Sequence, residues 1–210
     1  MPRKKSELRR TVILETAKRL FSSQGFERTS MSLLAKSMQV PVGSVYTYFS
    51  SKNALLSAII EEGWSQFLNT VESGFLQVDE QVPDNQDRAL QKLSFLVLVL
   101  LPELFKDADL IAILLSESGK PHHLDEKLSY LSNLIAGILD EFLAAKPGRA
   151  KLNSASIRTG LSVMLLGSLE TVRLIHQTSL AIDQNEIIKF LCASIEQVLG
   201  CQLSAPLVSF

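Results

Sequence analysis

Residues 40–52, "VPVGSVYTYFSSK", combine side chains that seldom occur together. Three aromatic residues, Tyr46, Tyr48 and Phe49, stand among small polar residues, valines, one glycine, one proline and one lysine. A fully buried helix would hold fewer serines and threonines, and an ordinary surface loop would hold fewer aromatic rings. The segment is therefore expected to face two different environments.

Helical spacing separates these environments. At about 100° per residue, Val45 and Phe49 point to one side, which suits a protein core. Small residues occupy the opposite side: Gly43, Ser44 and Thr47. Tyr46 and Tyr48 fall on the two flanks, where a phenol hydroxyl can donate a hydrogen bond to a phosphate. The spacing predicts a helix with one buried side and one side that a partner can approach closely.

A second short helix is predicted just before this one. Thr29 and Ser30 are suitable N-cap residues, and apolar residues follow at helical spacing up to Met38. A break at "QVP" separates it from the next helix, which is expected over about residues 42–49. Two short helices joined by a tight turn form a helix-turn-helix, whose second helix enters the major groove of DNA.

The distribution of charge also favours a polyanionic partner for this part. Residues 1–52 carry ten Lys or Arg and three Asp or Glu, whereas residues 53–210 carry eleven and nineteen. A basic segment attached to a larger acidic one is typical of a polyanion-binding head on a body with another role. We therefore expect a DNA-binding domain over residues 1–52, continuing into the next helix, and a second domain over residues 53–210.

Residues 13–56 resemble the DNA-binding domain of the TetR family of bacterial repressors. The matching positions follow the family's order: Ala17, Leu20, Phe21, Gly25, Phe26, Thr29, Ser30, Gly43, Ser44, Tyr46, Tyr48, Phe49 and Lys52. The resemblance implies an all-helical fold in which residues 53–210 bind a small-molecule effector and form a homodimer. It also implies a repressor that binds a pseudo-palindromic operator and is released by its effector.

The resemblance assigns roles within the DNA-binding segment. The candidates for approaching base edges are Val42, Gly43, Ser44 and Thr47, with Ser32 of the preceding helix. The candidates for holding phosphates are Tyr46, Tyr48, Lys52 and Ser30. Packing in the core is the alternative for the two tyrosines. The basic "PRKK" arm is expected to follow phosphates or the minor groove, or else to be a solubilising tail.

Two positions depart from the family pattern. Gln39 replaces the usual glycine of the turn, and a positive φ costs Gln more than Gly. Pro41 replaces the usual serine at the start of the recognition helix, which removes a capping hydroxyl. Both departures bear on base preference, and they leave open an alternative: a helical protein–protein adaptor of the same fold that has lost DNA binding.

The elements that position these residues are predicted to be helices throughout, about nine in all, because helical spacing recurs and strand alternation does not. The first spans about residues 6–23, with Gly25 as a left-handed C-terminal cap. The fourth is capped by Ser50 or Ser51 and extends to about Phe75.

The remaining helices are predicted from apolar spacing and breaks. One begins at about Arg88, becomes apolar on all sides, and is expected to be interrupted at Pro102, with a further helix beyond. Three more are expected over about residues 124–145, 153–178 and 184–199.

The expected effector pocket is hydrophobic because the body is mostly apolar. The candidate pocket residues are Trp64, Phe67, Phe95, Met164, Arg173 and His176. Core packing is the alternative for the apolar ones, and a surface stripe with a Glu170–Arg173 pair is the alternative for the polar ones. Gly160 and Gly167, seven residues apart, allow close helix approach, either to the second subunit or within the chain.

Other classes of function lack support in the sequence. It contains no phosphate-binding glycine loop, nucleophile elbow or metal-ligand cluster, so an enzyme, a cofactor and a metal are not expected. Cys192 and Cys201 are interpreted as structural thiols, and the adjacent His122 and His123 make no metal site by themselves. The longest apolar run, residues 95–101, is too short to span a bilayer, and no secretory signal is recognised, so a cytoplasmic protein is expected.

Overall fold

The computed structural model describes residues 2–116, 124–145, 154–178 and 183–203. Within these ranges the backbone forms helices and turns without a β-strand, which confirms the predicted all-α fold. The helices are α1 Pro2–Gln24, α2 Met31–Ser37, α3 Val42–Tyr46, α4 Lys52–Gln81, α5 Asn85–Phe95, α6 Leu101–Lys106, α7 Ala108–Ser116, α8 Leu124–Ala145, α9 Ser154–Thr178 and α10 Gln184–Leu199. A π-helical segment, Leu96–Leu100, joins α5 to α6 without a break.

The predicted helix ends are confirmed where a local signal sets them. Gly25 follows α1 at φ 85°, and its N–H donates to the Phe21 carbonyl at 3.0 Å. Ser30 caps α2 by accepting the Leu33 N–H, and Ser51 caps α4 by accepting the Ala54 N–H. The "PRKK" residues form the first turn of α1, so this basic segment continues the helix.

Three predicted boundaries are wrong. Helix α3 ends at Tyr46 and not at Phe49, and α4 continues past Phe75 to Gln81, where Val78 is still fully buried. The helix expected to be interrupted at Pro102 continues to Lys106. The π-helical segment just before Pro102 explains this. The Leu101 N–H donates to the Leu96 carbonyl, five residues back, so the backbone has already left the regular α-helical hydrogen-bond pattern in which the proline ring would clash with a carbonyl of the preceding turn.

Buried side chains form a core for the N-terminal region and two adjoining cores for the body. The first packs α1, α2 and α3 against the first half of α4, and it includes Leu110 and Ile113 of α7. The second core is formed by side chains from α5, the π-helical segment and all helices from α6 to α10. The third packs the second half of α4 against α5 and the π-helical segment. Helix α7 therefore belongs to the body and also contacts the N-terminal region.

None of the helices in the described ranges is both long and apolar enough to cross a membrane.

Candidate nucleic-acid interface

The turn between α2 and α3 is closed by backbone hydrogen bonds. Val40 N–H donates to the Ala35 carbonyl at 3.0 Å, and Gln39 N–H donates to the Lys36 carbonyl at 3.1 Å. These two bonds form a Schellman motif, which places Gln39 in the left-handed region at φ 57°. Gln39 therefore adopts the conformation that glycine favours, at a cost of about 1 kcal/mol.

Helix α3 has one buried side and one open side. Val45 is fully buried and Phe49, just beyond the helix, is buried too, so the predicted core side is confirmed. Tyr46 is 50% exposed and Val42 is 40% exposed. The small residues of the opposite side are exposed as well: Gly43, Ser44 and Thr47. Pro41 precedes the helix and provides no side-chain cap.

Gly43 has no packing role among the described residues, because a Cβ added there meets none of their atoms within 4 Å. The Thr47 hydroxyl donates to the Gly43 carbonyl at 3.0 Å, which leaves the Thr47 methyl group for apolar contact. The side of α3 opposite Val45 is therefore smooth and accessible.

The predicted phosphate-binding residues occupy different environments. Tyr48 is partly buried and its ring packs against the N-terminal core. Ser30 accepts the Leu33 N–H at 3.1 Å, and its own hydroxyl proton stays available to a partner. Ser32, on α2, is exposed.

Lys52 makes contacts within the chain. Its Nζ donates to the Phe26 carbonyl at 2.8 Å and to the Glu27 carbonyl at 3.4 Å. The same ammonium lies 4.1 Å from the centroid of the Phe26 ring. Lys52 thus ties the start of α4 to the loop between α1 and α2, a structural role that its sequence position does not reveal.

Sequence reasoning also missed Arg10. Its guanidinium lies 5.4 Å from the centroid of the Phe49 ring and pairs with Glu62 of α4. Arg10 therefore connects the turn after α3 to α1 and α4. No local signal reports a contact between residues 52 positions apart in the chain.

The structure does not bring the six predicted pocket residues together. Trp64 and Phe67 line one cavity, and Met164 lines another. Phe95 is fully buried against α4. Arg173 donates from Nε to Glu170 Oε2 at 2.8 Å, and this bond lowers the pKa of Glu170. The side chain of His176 lies outside the described structure, as do His122 and His123.

The cavity beside Trp64 lies between α4, α7, α8 and α9 and has a volume of about 70 Å³. Its lining residues are Ile60, Gly63, Trp64, Phe67, Leu110, Ile111, Leu114, Leu115, Lys127, Leu131 and Leu169. Drug-sized ligands occupy pockets of about 300–1,000 Å³, so such a ligand requires the walls to move apart. Within the described ranges, no group of three or more His, Cys, Asp or Glu is placed to hold a metal ion.

Polar contacts join this cavity's wall to the DNA-binding region. The Ser22 hydroxyl of α1 hydrogen-bonds to Asp109 of α7, and Lys18 pairs with Asp107 at 3.0 Å. Burial lowers the pKa of Lys18, but the hydrogen bond and charge of Asp107, with help from Glu15, outweigh burial and raise it. The start of α7 is thereby anchored to α1.

The helix-turn-helix, its open recognition face and the basic N-terminal region define a helix-turn-helix DNA-binding protein. Residues 13–59 match the family of bacterial regulatory proteins described as the tetR family. The all-helical fold of the described residues agrees with this match, which identifies the N-terminal region as a DNA-binding domain of the TetR family.

Curated relatives match over part of the chain. The chain is 45% identical over 51 residues to the HTH-type transcriptional regulator UidR of Escherichia coli, a match that covers 24% of this chain and 26% of UidR. It is 32% identical over 84 residues to the HTH-type transcriptional regulator EthR of Mycolicibacterium smegmatis, covering 40% of this chain and 37% of EthR. The matches thus span about a quarter to two fifths of these relatives.

Solved structures share the fold over most of the chain. The fatty acid degradation regulator FadR from Bacillus halodurans has a TM-score of 0.64 at 22% identity, covering 90% of this chain and 94% of FadR. The ketosteroid transcriptional regulator KstR2 of Mycobacterium tuberculosis has a TM-score of 0.61 at 15% identity, covering 91% of this chain and 93% of KstR2. At these identities the similarity establishes the fold.

Proposed function

We propose that the chain is a cytoplasmic transcriptional repressor that binds a pseudo-palindromic operator as a homodimer and leaves it when a small hydrophobic effector binds. The observation that carries this proposal is the open side of α3. Its residues are exposed and a Cβ at Gly43 meets no described atom within 4 Å, while Val45 holds the opposite side in the core. Such a face is explained by a partner that fits against it, and the family match makes DNA that partner.

The exposed side of α3 supports separate roles for the residues that contact bases and those that contact phosphates. We assign the base edges to the smooth part of the face: Val42, Gly43, Ser44 and Thr47, with Ser32 at its border. Gly43 lets the helix backbone come close to the bases, and the Thr47 methyl suits the methyl group of thymine. The phosphates fall to Tyr46, Tyr48 and Ser30, whose hydroxyls can donate.

Lys52 takes a different part in this proposal. Its ammonium holds the loop after α1, so its first contribution is to fix the orientation of the helix-turn-helix. One of its three N–H groups can still face a phosphate, as the family pattern implies. Substitution of Lys52 is therefore expected to affect folding and DNA binding together, which makes the tyrosines better probes of phosphate contact.

The dimer is assigned to α9 and α10. Large apolar side chains on these helices are exposed: Val163 64%, Leu166 42%, Leu174 37% and Phe190 67%. A Cβ added at Gly160 or Gly167 meets no atom of the described chain within 4 Å, so the glycines are free to allow a second subunit's helix to approach. A two-fold dimer places recognition helices about 34–36 Å apart and predicts a pseudo-palindromic operator.

Effector release is assigned to the cavity beside Trp64. Helix α4 runs without a break from the DNA-binding region to this cavity, and α7 forms its opposite wall while being anchored to α1. A ligand that widens the cavity moves its walls apart, and α4 and α7 form two of these walls. The ligand would then favour a state in which the two recognition helices no longer match the operator spacing.

The experiment is selection of bound duplexes from a randomised DNA pool by the purified chain, in parallel with its Tyr48→Phe variant. The variant keeps the ring that packs on the core and removes only the hydroxyl. We expect an inverted repeat from the native chain and the same repeat with weaker binding from the variant. A pool without any enriched sequence would contradict the proposal.

The adaptor alternative loses the support that Gln39 and Pro41 gave it. Gln39 takes the left-handed conformation that the turn requires, and Pro41 leads directly into α3, so the helix-turn-helix keeps its geometry. Salt dependence separates the two functions: DNA affinity falls steeply with added salt because phosphate contacts release counterions. An adaptor would not bind the duplex at any salt concentration.

A further inference from the structure

One wall residue of the cavity beside Trp64 is charged. The described lining consists of Ile, Leu, Trp, Phe and one Gly, apart from Lys127 of α8. The Lys127 ammonium lies 5.3 Å from the centroid of the Trp64 ring, where the ring face attracts a cation. An apolar cavity with one cation at its edge is suited to a molecule that has an apolar body and an anionic end.

The present partner of Lys127 is an exposed carboxylate. Lys127 Nζ lies 3.0 Å from Glu61 Oε1, yet the Lys127 side chain is only 11% exposed and that of Glu61 is 56% exposed. Ion pairs with an exposed partner contribute little to stability because water solvates the free carboxylate well. A ligand carboxylate can therefore replace that of Glu61 at small cost, whereas the cation stays at the wall.

We propose that the effector is an amphipathic carboxylate whose anionic end pairs with Lys127 and whose apolar body lies against Trp64. This inference rests on the proposed function, because it names the ligand class for the cavity assigned to effector release. Glu61 holds the site in the ligand-free state: it neutralises Lys127 and leaves when a stronger-binding carboxylate arrives.

Trp64 makes the test direct, because it is the only tryptophan of the chain and it lines the cavity. Ligand binding to the full-length protein is followed by Trp64 fluorescence without DNA. The probes are two pairs matched in their apolar body: decanoate with 1-decanol, and 1-naphthaleneacetate with 2-(1-naphthyl)ethanol. The two pairs distinguish a linear from an aromatic body, and each pair isolates the carboxylate.

The variants are chosen to change the Kd of the acid and the Kd of the alcohol to different extents. Lys127→Met is expected to raise the Kd of the bound acid by about tenfold or more, and to leave the Kd of its alcohol within about twofold. Glu61→Gln removes the competing carboxylate and is expected to tighten acid binding by a few-fold. Lys106→Met, which removes an exposed lysine paired with Glu103, is the control and should change neither.

Three results would overturn the inference: an alcohol that binds as tightly as its acid, an acid whose Kd is unchanged in Lys127→Met, or no fluorescence change with either acid up to its solubility limit. Displacement of labelled operator is measured separately. An acid that binds through Lys127 without releasing DNA would refute effector release and uphold the ligand class. Release of DNA by the alcohols alone would uphold effector release and refute the ligand class.

Discussion

Gly43 in α3 and Gly74 in α4 show how differently the DNA-binding region and the body constrain their residues. A Cβ on Gly43 meets no described atom within 4 Å, whereas a Cβ on Gly74 would lie 2.3 Å from Cζ of Phe95. The chain's own packing demands glycine at position 74, where the ring of Phe95 fills the space. The described packing does not require glycine at position 43, which is exposed on α3, and the proposed DNA contact would account for it.

A lysine from each region shows a similar difference in how its hydrogen-bond partner is held. Lys52 and Lys127 each place an ammonium beside an aromatic ring, at 4.1 Å from Phe26 and 5.3 Å from Trp64. Lys52 donates to backbone carbonyls that the fold fixes in place, but Lys127 pairs with the exposed carboxylate of Glu61. A polar side chain with fixed partners is structural, and one with an exchangeable partner is open to a ligand.

The largest effect on stability is expected from substitution of the packed glycine, Gly74. Gly74→Ala should lower the free energy of unfolding by about 2–3 kcal/mol, because Phe95 is fully buried and its ring has no room to move. Gly137→Ala in α8 is the matched control, since a Cβ there meets no described atom within 4 Å. Urea unfolding measures both variants. Equal stability of the two would show that α4 and α5 are not packed as described.

The lysine comparison is tested by two Lys→Met variants. Lys52→Met should cost about 2 kcal/mol of unfolding free energy, because a charged hydrogen bond and a cation–π contact are lost. Lys127→Met should cost less, about 1 kcal/mol, because its ammonium lies farther from the aromatic ring and its carboxylate partner is exposed. Urea unfolding at low and moderate salt gives both values. A larger loss in Lys127→Met than in Lys52→Met would reverse the comparison.

Tyr46→Phe tests the open flank of α3. Tyr46 is half exposed and its hydroxyl is assigned to a phosphate, so removing that hydroxyl should weaken operator binding by about fivefold and leave stability unchanged. The slope of affinity against salt should also stay unchanged, because a neutral hydroxyl releases no counterion. Fluorescence anisotropy with labelled operator measures both quantities. Unaltered affinity would remove Tyr46 from the interface.

The smallest expected effect concerns the turn. Gln39→Gly should raise the free energy of unfolding by about 0.5–1 kcal/mol, because glycine adopts φ 57° without the clash of a Cβ. The gain is reduced by the greater freedom of glycine in the unfolded chain. Thermal unfolding of the two proteins gives the difference, and a loss of stability would mean that the Gln39 side chain stabilises the turn.

Local signals made much of the fold predictable. Gly25, Ser30 and Ser51 set helix ends through hydrogen bonds to residues a few positions away, and they act as expected. The alternation of buried and exposed residues around α3 likewise follows from helical spacing. The extension of α4 to Gln81 was missed because tertiary packing of Val78, not a cap, sustains its last turns.

Long-range contacts could not be predicted in this way. Lys127 meets Glu61 across 66 residues, and Lys52 meets Phe26 across 26. Nothing in the spacing around either lysine indicates its partner. The predicted interruption at Pro102 is wrong for a related reason. The π-helical hydrogen bonds before Pro102 avoid the clash, and the apolar residues of that segment do not indicate a π-helix.

The central claim is that the open side of α3 exists for DNA, and Gly43→Ala tests it most directly. The variant should fold with an unfolding free energy about 0.5–1 kcal/mol higher than that of the native chain, because alanine favours a helix over glycine. Its affinity for the selected operator, measured by anisotropy, should nevertheless fall by about tenfold or more, since the added methyl group separates the helix from the bases. An operator affinity equal to that of the native chain would contradict the account.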